Sequence, residues 1–246
     1  MNMSDSIVII PTYNEKENIE AIIRAVFGLE KKFHILIIDD GSPDGTAAIV
    51  KRMQQEFPDR LFLVERSGKL GLGTAYICGF KWAIEHKYDF VFEMDADFSH
   101  NPQDLLKLYD ACANEGADVA VGSRYITGVN VVNWPMGRVL MSYCASIYVR
   151  MVLGVDIRDT TAGFVCYRRQ VLETIELDKI RFKGYAFQIE MKFTAHQCGF
   201  TIREVPIIFI NRVLGTSKMS GGIFSEALLG VIRLKLSSWF RKYPKK

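Results

Sequence analysis

Ile7-Val-Ile-Ile-Pro-Thr-Tyr-Asn-Glu15 decides how the chain has to be read. Four consecutive apolar residues stopped by Pro11 describe a strand covered on both faces, because a strand with one wet face would alternate. Ile19, Ile22, Ile23 and Val26 then fall at helical spacing. The unit recurs. Phe33 to Ile38 is a second buried run, closed by the turn residues Gly41-Ser-Pro-Asp-Gly45, and Ile49, Val50, Met53 and Phe57 supply its helix. Leu61 to Val64 pairs with Ala75, Cys78, Trp82 and Ala83. Phe90 to Met94 pairs with Leu105, Leu108, Tyr109 and Cys112, and Val119 to Val121 gives a fifth strand. Strands joined by single helices pair in parallel, so the expected fold is a doubly wound α/β sheet.

Beyond Tyr125 the pattern loosens. Arg138 to Leu153 predicts a long helix, Phe164 to Arg168 a short strand and Gln188 to His196 a helix. Ile202 to Ile210 predicts one strand and Ile223 to Phe240 a terminal helix. Residues 1–220 are expected to form one domain, followed at 221–246 by a basic amphipathic helix that lies at a membrane interface or packs on the core.

The chain has 246 residues, 49% of them hydrophobic and 24% charged, which suits a cored globular domain and excludes disorder. Its net charge of +3 is local: from Ala227 to Lys246 there are six basic residues and no acidic one, so the remainder is net acidic. That pattern fits an anionic surface near the C-terminus, not a nucleic-acid binder. The five cysteines are scattered and no signal-peptide pattern precedes the first strand, so a reducing, cytoplasmic setting is expected. No uninterrupted apolar stretch reaches the roughly eighteen residues of a membrane span.

In an open parallel sheet, ligands collect beyond the carboxyl ends of the strands. Three such ends carry polar groups here: Pro11-Thr-Tyr-Asn-Glu15, Asp39-Asp40 and Asp95-Ala-Asp97. Asp95 and Asp97 lie two apart on extended chain and point the same way. Close carboxylates repel unless a cation separates them, and hard divalent ions take oxygen ligands and complete their shell with substrate phosphate. Gly68-Lys-Leu-Gly-Leu-Gly73 follows a strand, but Tyr76 stands at the third glycine of a dinucleotide fingerprint, and no P-loop pattern is present. The segment is either a turn allowing close backbone packing or a ligand contact. Arg124 directly follows a sheet strand, and its planar fork suits phosphate oxygens.

Ile10-Pro-Thr-Tyr-Asn-Glu15, Ile38-Asp-Asp-Gly-Ser-Pro-Asp-Gly-Thr46, Leu70-Gly-Leu-Gly-Thr-Ala-Tyr76, Met94-Asp-Ala-Asp-Phe-Ser-His100, Gly122-Ser-Arg-Tyr125 and Arg212-Val-Leu-Gly-Thr-Ser-Lys218 together resemble the dolichol-phosphate mannose synthases of glycosyltransferase family 2. The resemblance runs from about Ile7 to Ser220. It implies a GT-A-type nucleotide-binding sheet whose C-terminal helices complete the acceptor side. It also implies inverting transfer of mannose from GDP-mannose to a polyprenyl phosphate on the cytoplasmic face of a membrane. By resemblance, Pro11, Tyr13, Glu15, Ile38 and Asp40 hold the nucleoside. Asp95, Ala96 and Asp97 hold the diphosphate through Mg or Mn, with Asp97 the direct ligand and Ser99 a further metal candidate. Arg124, Arg138, Arg212 and Lys218 gather phosphate and sugar, and Asp159 orients the acceptor.

An ionised phosphate acceptor needs no strong base, which agrees with the lack of an obvious catalytic histidine. The segment Val213–Ser217 is expected to close over the phosphates. The stripe Phe224, Ala227, Leu228, Val231, Leu234 and Trp239 is expected to lie on an anionic membrane. Two alternatives stay open: a polyprenyl-phosphate transferase that uses a UDP-sugar to move glucose or a modified sugar, and a non-catalytic nucleotide-sugar-binding subunit.

Overall fold

The computed structural model describes residues 4–184, 186–212 and 223–246, the side chains of 223–227 excepted. Its centre is a seven-stranded sheet in the order β3-β2-β1-β4-β7-β5-β8. The first four strands are β1 (Ser6–Thr12), β2 (His34–Asp39), β3 (Leu61–Glu65) and β4 (Phe90–Glu93), all parallel to their neighbours among themselves. The helices between them are α1 (Ile19–Phe27), α2 (Thr46–Glu56) and α3 (Leu72–Glu85). After α4 (Asp104–Ala113) come β5 (Val119–Ser123), the short β6 (Val131–Val132) and the long helix α5 (Met136–Leu153).

Alternate residues of the buried runs supply two cores, one on each face of the sheet. Val8, Ile10, Ile35 and Ile37 face one side with α1 and α4, while Ile7, Ile9, Leu36 and Ile38 face the other with α3. Each such fully buried aliphatic side chain contributes about 1.5–3 kcal/mol. Gly79 of α3 sits on Ile9 so closely that an added Cβ would lie 2.7 Å from its side chain.

The second half departs from the all-parallel expectation. β7 (Val165–Arg168) enters between β4 and β5 and runs antiparallel to both. It begins at Val165 opposite Glu93, where β4 ends, so the chain re-enters the sheet from its carboxyl edge and must run back. The chain then passes through α6 (Arg169–Thr174) and α7 (Ala186–Gln197) to β8 (Ile202–Pro206), which pairs in parallel with β5. The single strand expected over Ile202 to Ile210 is two. β8 stops at Pro206, with Ile207 N still donating to Ser123 O at 3.1 Å, and β9 (Phe209–Ile210) pairs with β6 outside the main sheet.

The terminal helix α8 (Ile223–Ser238) packs on α5 and α7. Val231 and Leu234 are buried there with Val149, Leu153 and Phe193. The stripe assigned to a membrane therefore splits: Val231 and Leu234 face the core, Trp239 is exposed, and the side chains of Phe224 and Ala227 lie outside the described residues. The basic tail is partly engaged too, since Lys246 pairs with Asp118 at 2.7 Å and Lys245 donates to Gln197 O. Among the described residues no helix is long and apolar enough to cross a membrane. All five cysteines are free.

Candidate active site

The carboxyl ends of β1, β2 and β4 and the loop before α7 enclose a cavity of about 520 Å3. Pro11, Tyr13, Glu15, Asp40, Asp95, Ala96, Asp97 and Arg212 all line it. Ile38 does not: its side chain is fully buried in the core under α3. A second, smaller cavity of about 90 Å3 adjoins it, lined by Tyr76, Ser99, His100, Arg124, Trp134, Arg138, Gln188 and Asn211. Asp95, Asp97, Leu72 and Arg212 belong to both walls. The two cavities thus meet at the carboxylate pair.

Much of the first wall is built by hydrogen bonds within it. Asp39 accepts from Thr12 Oγ1 at 2.9 Å, Ser42 N at 2.9 Å and Ser42 Oγ at 2.6 Å, locking the β1 and β2 loops together. Asp44 caps Thr46 through its N and Oγ1. Asp40 is gripped by Arg66, with Nε to Oδ1 at 2.6 Å and Nη2 to Oδ2 at 2.8 Å. Arg66 also donates to Thr74 Oγ1, so its fork ties β2 to α3. Asp40 meets the cavity as half of an ion pair.

The Asp95–His100 turn has its own support. His100 Nδ1 accepts the backbone N–H of Asp95 at 3.2 Å, and its ring stacks on Phe164. Burial, with the Arg124 charge assisting, pushes His100 down to about 4 against the pull of Asp97 and Asp159, so it is neutral and shapes the turn. Asp97 Oδ1 accepts from Ser99 N at 3.0 Å, and Asp97 Oδ2 pairs with Arg212 Nη2 at 2.9 Å.

The donor set suits a hard divalent cation. Asp95 and Asp97 offer carboxylate oxygens, and the buried Ser99 Oγ beside them has no hydrogen-bond partner among the described residues. Nor, among those residues, do three Asp, Glu, His or Cys side chains converge on a common point. A cation bound here would need ligands from the substrate, as Mg2+ habitually takes them from phosphate.

Arg124 does not stand free as a phosphate clamp. Asp159, with no exposed surface, takes Arg124 Nε at 2.7 Å, Nη2 at 2.6 Å and N at 2.9 Å. Burial alone would raise the Asp159 pKa, but the charge and fork of Arg124 outweigh it and hold the group below the usual carboxylate range. Asp159 therefore orients Arg124, and the acceptor-orienting role expected for it falls away because its carboxylate is sealed from both cavities. Arg124 in turn lies near the rings of Tyr125, Trp134 and Phe209 at 5.2–5.6 Å. Arg138 stacks over Trp134 at 4.0 Å and donates to Asn211 Oδ1. Lys218 and the segment Val213–Ser217 lie outside the described residues.

Lys69, Arg181 and Lys183 also line the larger cavity and were missed as site residues. The basic run Arg181-Phe-Lys-Gly184 before α7 was the available signal. The glycine segment is explained by packing on this run: Gly73 N donates to Lys183 O at 2.8 Å, and a Cβ on Gly73 would lie 2.8 Å from Phe182 O. Gly71, at φ +104°, reaches the cavity as well.

A mostly parallel α/β sheet with a carboxylate pair at its strand ends fits a glycosyltransferase of the GT-A fold. Residues 7–176 match the family profile Glycosyl transferase family 2, and the chain belongs to that family. It is 48% identical over 226 residues to a polyprenol monophosphomannose synthase of Mycolicibacterium smegmatis, covering 92% of this chain and 85% of the relative. It is 43% identical to an undecaprenyl-phosphate mannosyltransferase of Micrococcus luteus, covering 94% of each. A mannosyltransferase of Pyrobaculum calidifontis, solved in complex with GDP-Man and Mn2+, shares the fold at a TM-score of 0.62 and 18% identity, over 98% of this chain and 66% of that one.

Proposed function

We propose that this enzyme transfers mannose from GDP-mannose to a polyprenyl phosphate in one inverting displacement at the partition between its two cavities. The observation that carries the proposal is the sharing of Asp95, Asp97 and Arg212 by both walls. A group leaving one compartment and a group attacking from the other would meet there. The names of the two bacterial relatives support the sugar and the lipid acceptor.

In this reading the nucleoside lies against Pro11, Tyr13 and Glu15, and the diphosphate points to Asp95 and Asp97. Lys69, Arg181 and Lys183 offset the donor's negative charge along the wall. Asp97 and Asp95, with Ser99 Oγ beside them, would hold a divalent ion, Mg or Mn, which when bound would supply Lewis-acid stabilisation to the departing diphosphate. Arg138, fixed by Trp134 and Asn211, presents its guanidinium to the acceptor phosphate, and Arg124, fixed by Asp159, sets the floor beneath it. The acceptor is already ionised, so no side chain has to remove a proton, and the neutral His100 is free to serve the turn. Preorganised charge does most of the catalytic work.

The acceptor's chain is expected to leave toward the membrane along α5. Met136, Leu140 and Met141 of that helix are at least half exposed, as are Leu229 midway along α8 and Trp239 just past its end. With Arg233, Lys242 and the remaining basic tail, they suit peripheral contact with the cytoplasmic leaflet. The test is purified protein with Mn2+ or Mg2+, polyprenyl phosphate, and labelled GDP-mannose or UDP-glucose, with the lipid product analysed. Mannosyl-phospholipid from GDP-mannose alone supports the proposal. A glucolipid from UDP-glucose, or no turnover from either donor, would overturn it.

A further inference from the structure

Beneath the carboxylate pair lie two charged side chains that the mechanism above does not use. Glu93, the last residue of β4, is fully buried and Lys192 of α7 is 1% exposed. Gln188, one helical turn before Lys192, donates through Nε2 to Glu93 Oε2 at 2.7 Å and lines the smaller cavity. Lys192 Nζ donates to Ala162 O at 2.6 Å and to Gln188 O and Oε1 at 3.3 and 3.4 Å. Ala162 belongs to the loop whose Asp159 and Thr161 hold Arg124. A chain of hydrogen bonds centred on one ammonium therefore joins the strand that carries Asp95 and Asp97, the helix behind them, and the loop that seats Arg124.

Stability does not require this arrangement. Both charged groups are stripped of water, which costs desolvation free energy. Packed apolar residues of similar volume would hold β4 to α7 at least as firmly. Apolar contacts tolerate sliding, however, whereas the directional hydrogen bonds that each buried charge makes to Gln188 and to the Ala162 carbonyl accept one register. We propose that Lys192 and Glu93, acting through Gln188, are positioning residues that fix the separation between the Asp95–Asp97 carboxylates and the Arg124–Asp159 pair. The proposal rests on the reading that transfer takes place between those two groups.

The test is the neutral double variant Lys192→Met/Glu93→Gln, assayed with whichever donor the parent uses. Its thermal midpoint is expected to equal or exceed the parent's and its donor KM to stay unchanged, while kcat falls between about tenfold and a hundredfold, the scale of a misplacement near 1 Å. A folded variant with the parent's kcat overturns the proposal. So does a variant that fails to fold, because that assigns the charges to stability. The exchange Glu93→Gln/Gln188→Glu keeps one carboxylate and one amide across the same contact, with a side-chain oxygen of residue 188 still facing Lys192. It is expected to recover much of the kcat lost in Glu93→Gln alone; no recovery counts against the hydrogen-bond chain. Absence of turnover in the parent is a failure of the functional reading, whereas equal turnover in variant and parent is a failure of the positioning role.

Discussion

Two pairs of aspartates at the ends of β2 and β4, which flank β1, look alike in the sequence and behave differently in the fold. Asp39-Asp40 after β2 is closed: Asp39 is saturated by Thr12 and Ser42, and Asp40 by Arg66. Asp95-Ala-Asp97 after β4 is open: it borders two cavities, a buried hydroxyl beside it lacks a hydrogen-bond partner among the described residues, and its ion pair with Arg212 stands at the rim, where Arg212 is 27% exposed. A strand-end carboxylate that borders a cavity is placed to meet a ligand, whereas one gripped by the protein's own donors braces the fold.

The largest separation of the two pairs is expected from Asp97→Ala. Turnover should fall by about a thousandfold, the upper range for loss of one electrostatic contact to the transition state. The thermal midpoint measured without metal should stay near the parent's, and its rise on adding Mn2+ and GDP should vanish. Appreciable turnover in this variant would remove Asp97 from the mechanism.

Asp40→Ala should do the reverse. It strands the Arg66 guanidinium in a nearly buried site and is expected to cost about 3 kcal/mol of stability. That corresponds to roughly 6–12 °C in thermal midpoint for a chain of this size. Turnover per folded molecule should drop far less than in Asp97→Ala, and an unchanged midpoint would show that the brace is not one. Asp39→Asn is expected to be milder, about 1–2 kcal/mol, since one of its three accepted hydrogen bonds or its charge assistance is lost. Denaturant titration reads this directly.

The smallest effect is expected at the opposite, amino edge of the sheet. His34 meets Tyr88 Oη at 2.6 Å, and burial, aided by the Arg60 charge, lowers its pKa. With the folded value below the unfolded one of about 6.5, the unfolded chain takes up protons first on acidification. The stabilisation is therefore present above that pH and lost as pH falls through it. His34→Gln should flatten this part of the stability profile between neutral pH and pH 5 without moving kcat. An unaltered slope would contradict the assignment.

The contrast between the pairs was only half legible in the sequence. Buried runs ending in turn residues were enough for β1 to β4, and D-x-D spacing was enough to single out Asp95 and Asp97. Nothing in the four residues Val165–Arg168 indicates direction, so the antiparallel β7 stayed hidden. Pro206 did mark the break between β8 and β9, but the apolar run across it masked the signal. Ile38 entered the nucleoside site by family resemblance alone, whereas its side chain lies on the core face of β2. Asp159 and Arg66 show the deeper limit: which charge answers which is settled by tertiary packing, across 35 residues for Arg124–Asp159 and 26 for Arg66–Asp40.

Calorimetric titration of GDP with and without Mn2+ into the parent, Asp97→Asn and Asp40→Asn, at a temperature where all three are folded, tests the contrast most directly. The account predicts that Asp97→Asn loses the Mn2+-dependent part of GDP binding and that Asp40→Asn keeps it. Mn2+-dependent binding that survives in Asp97→Asn and disappears in Asp40→Asn would contradict it.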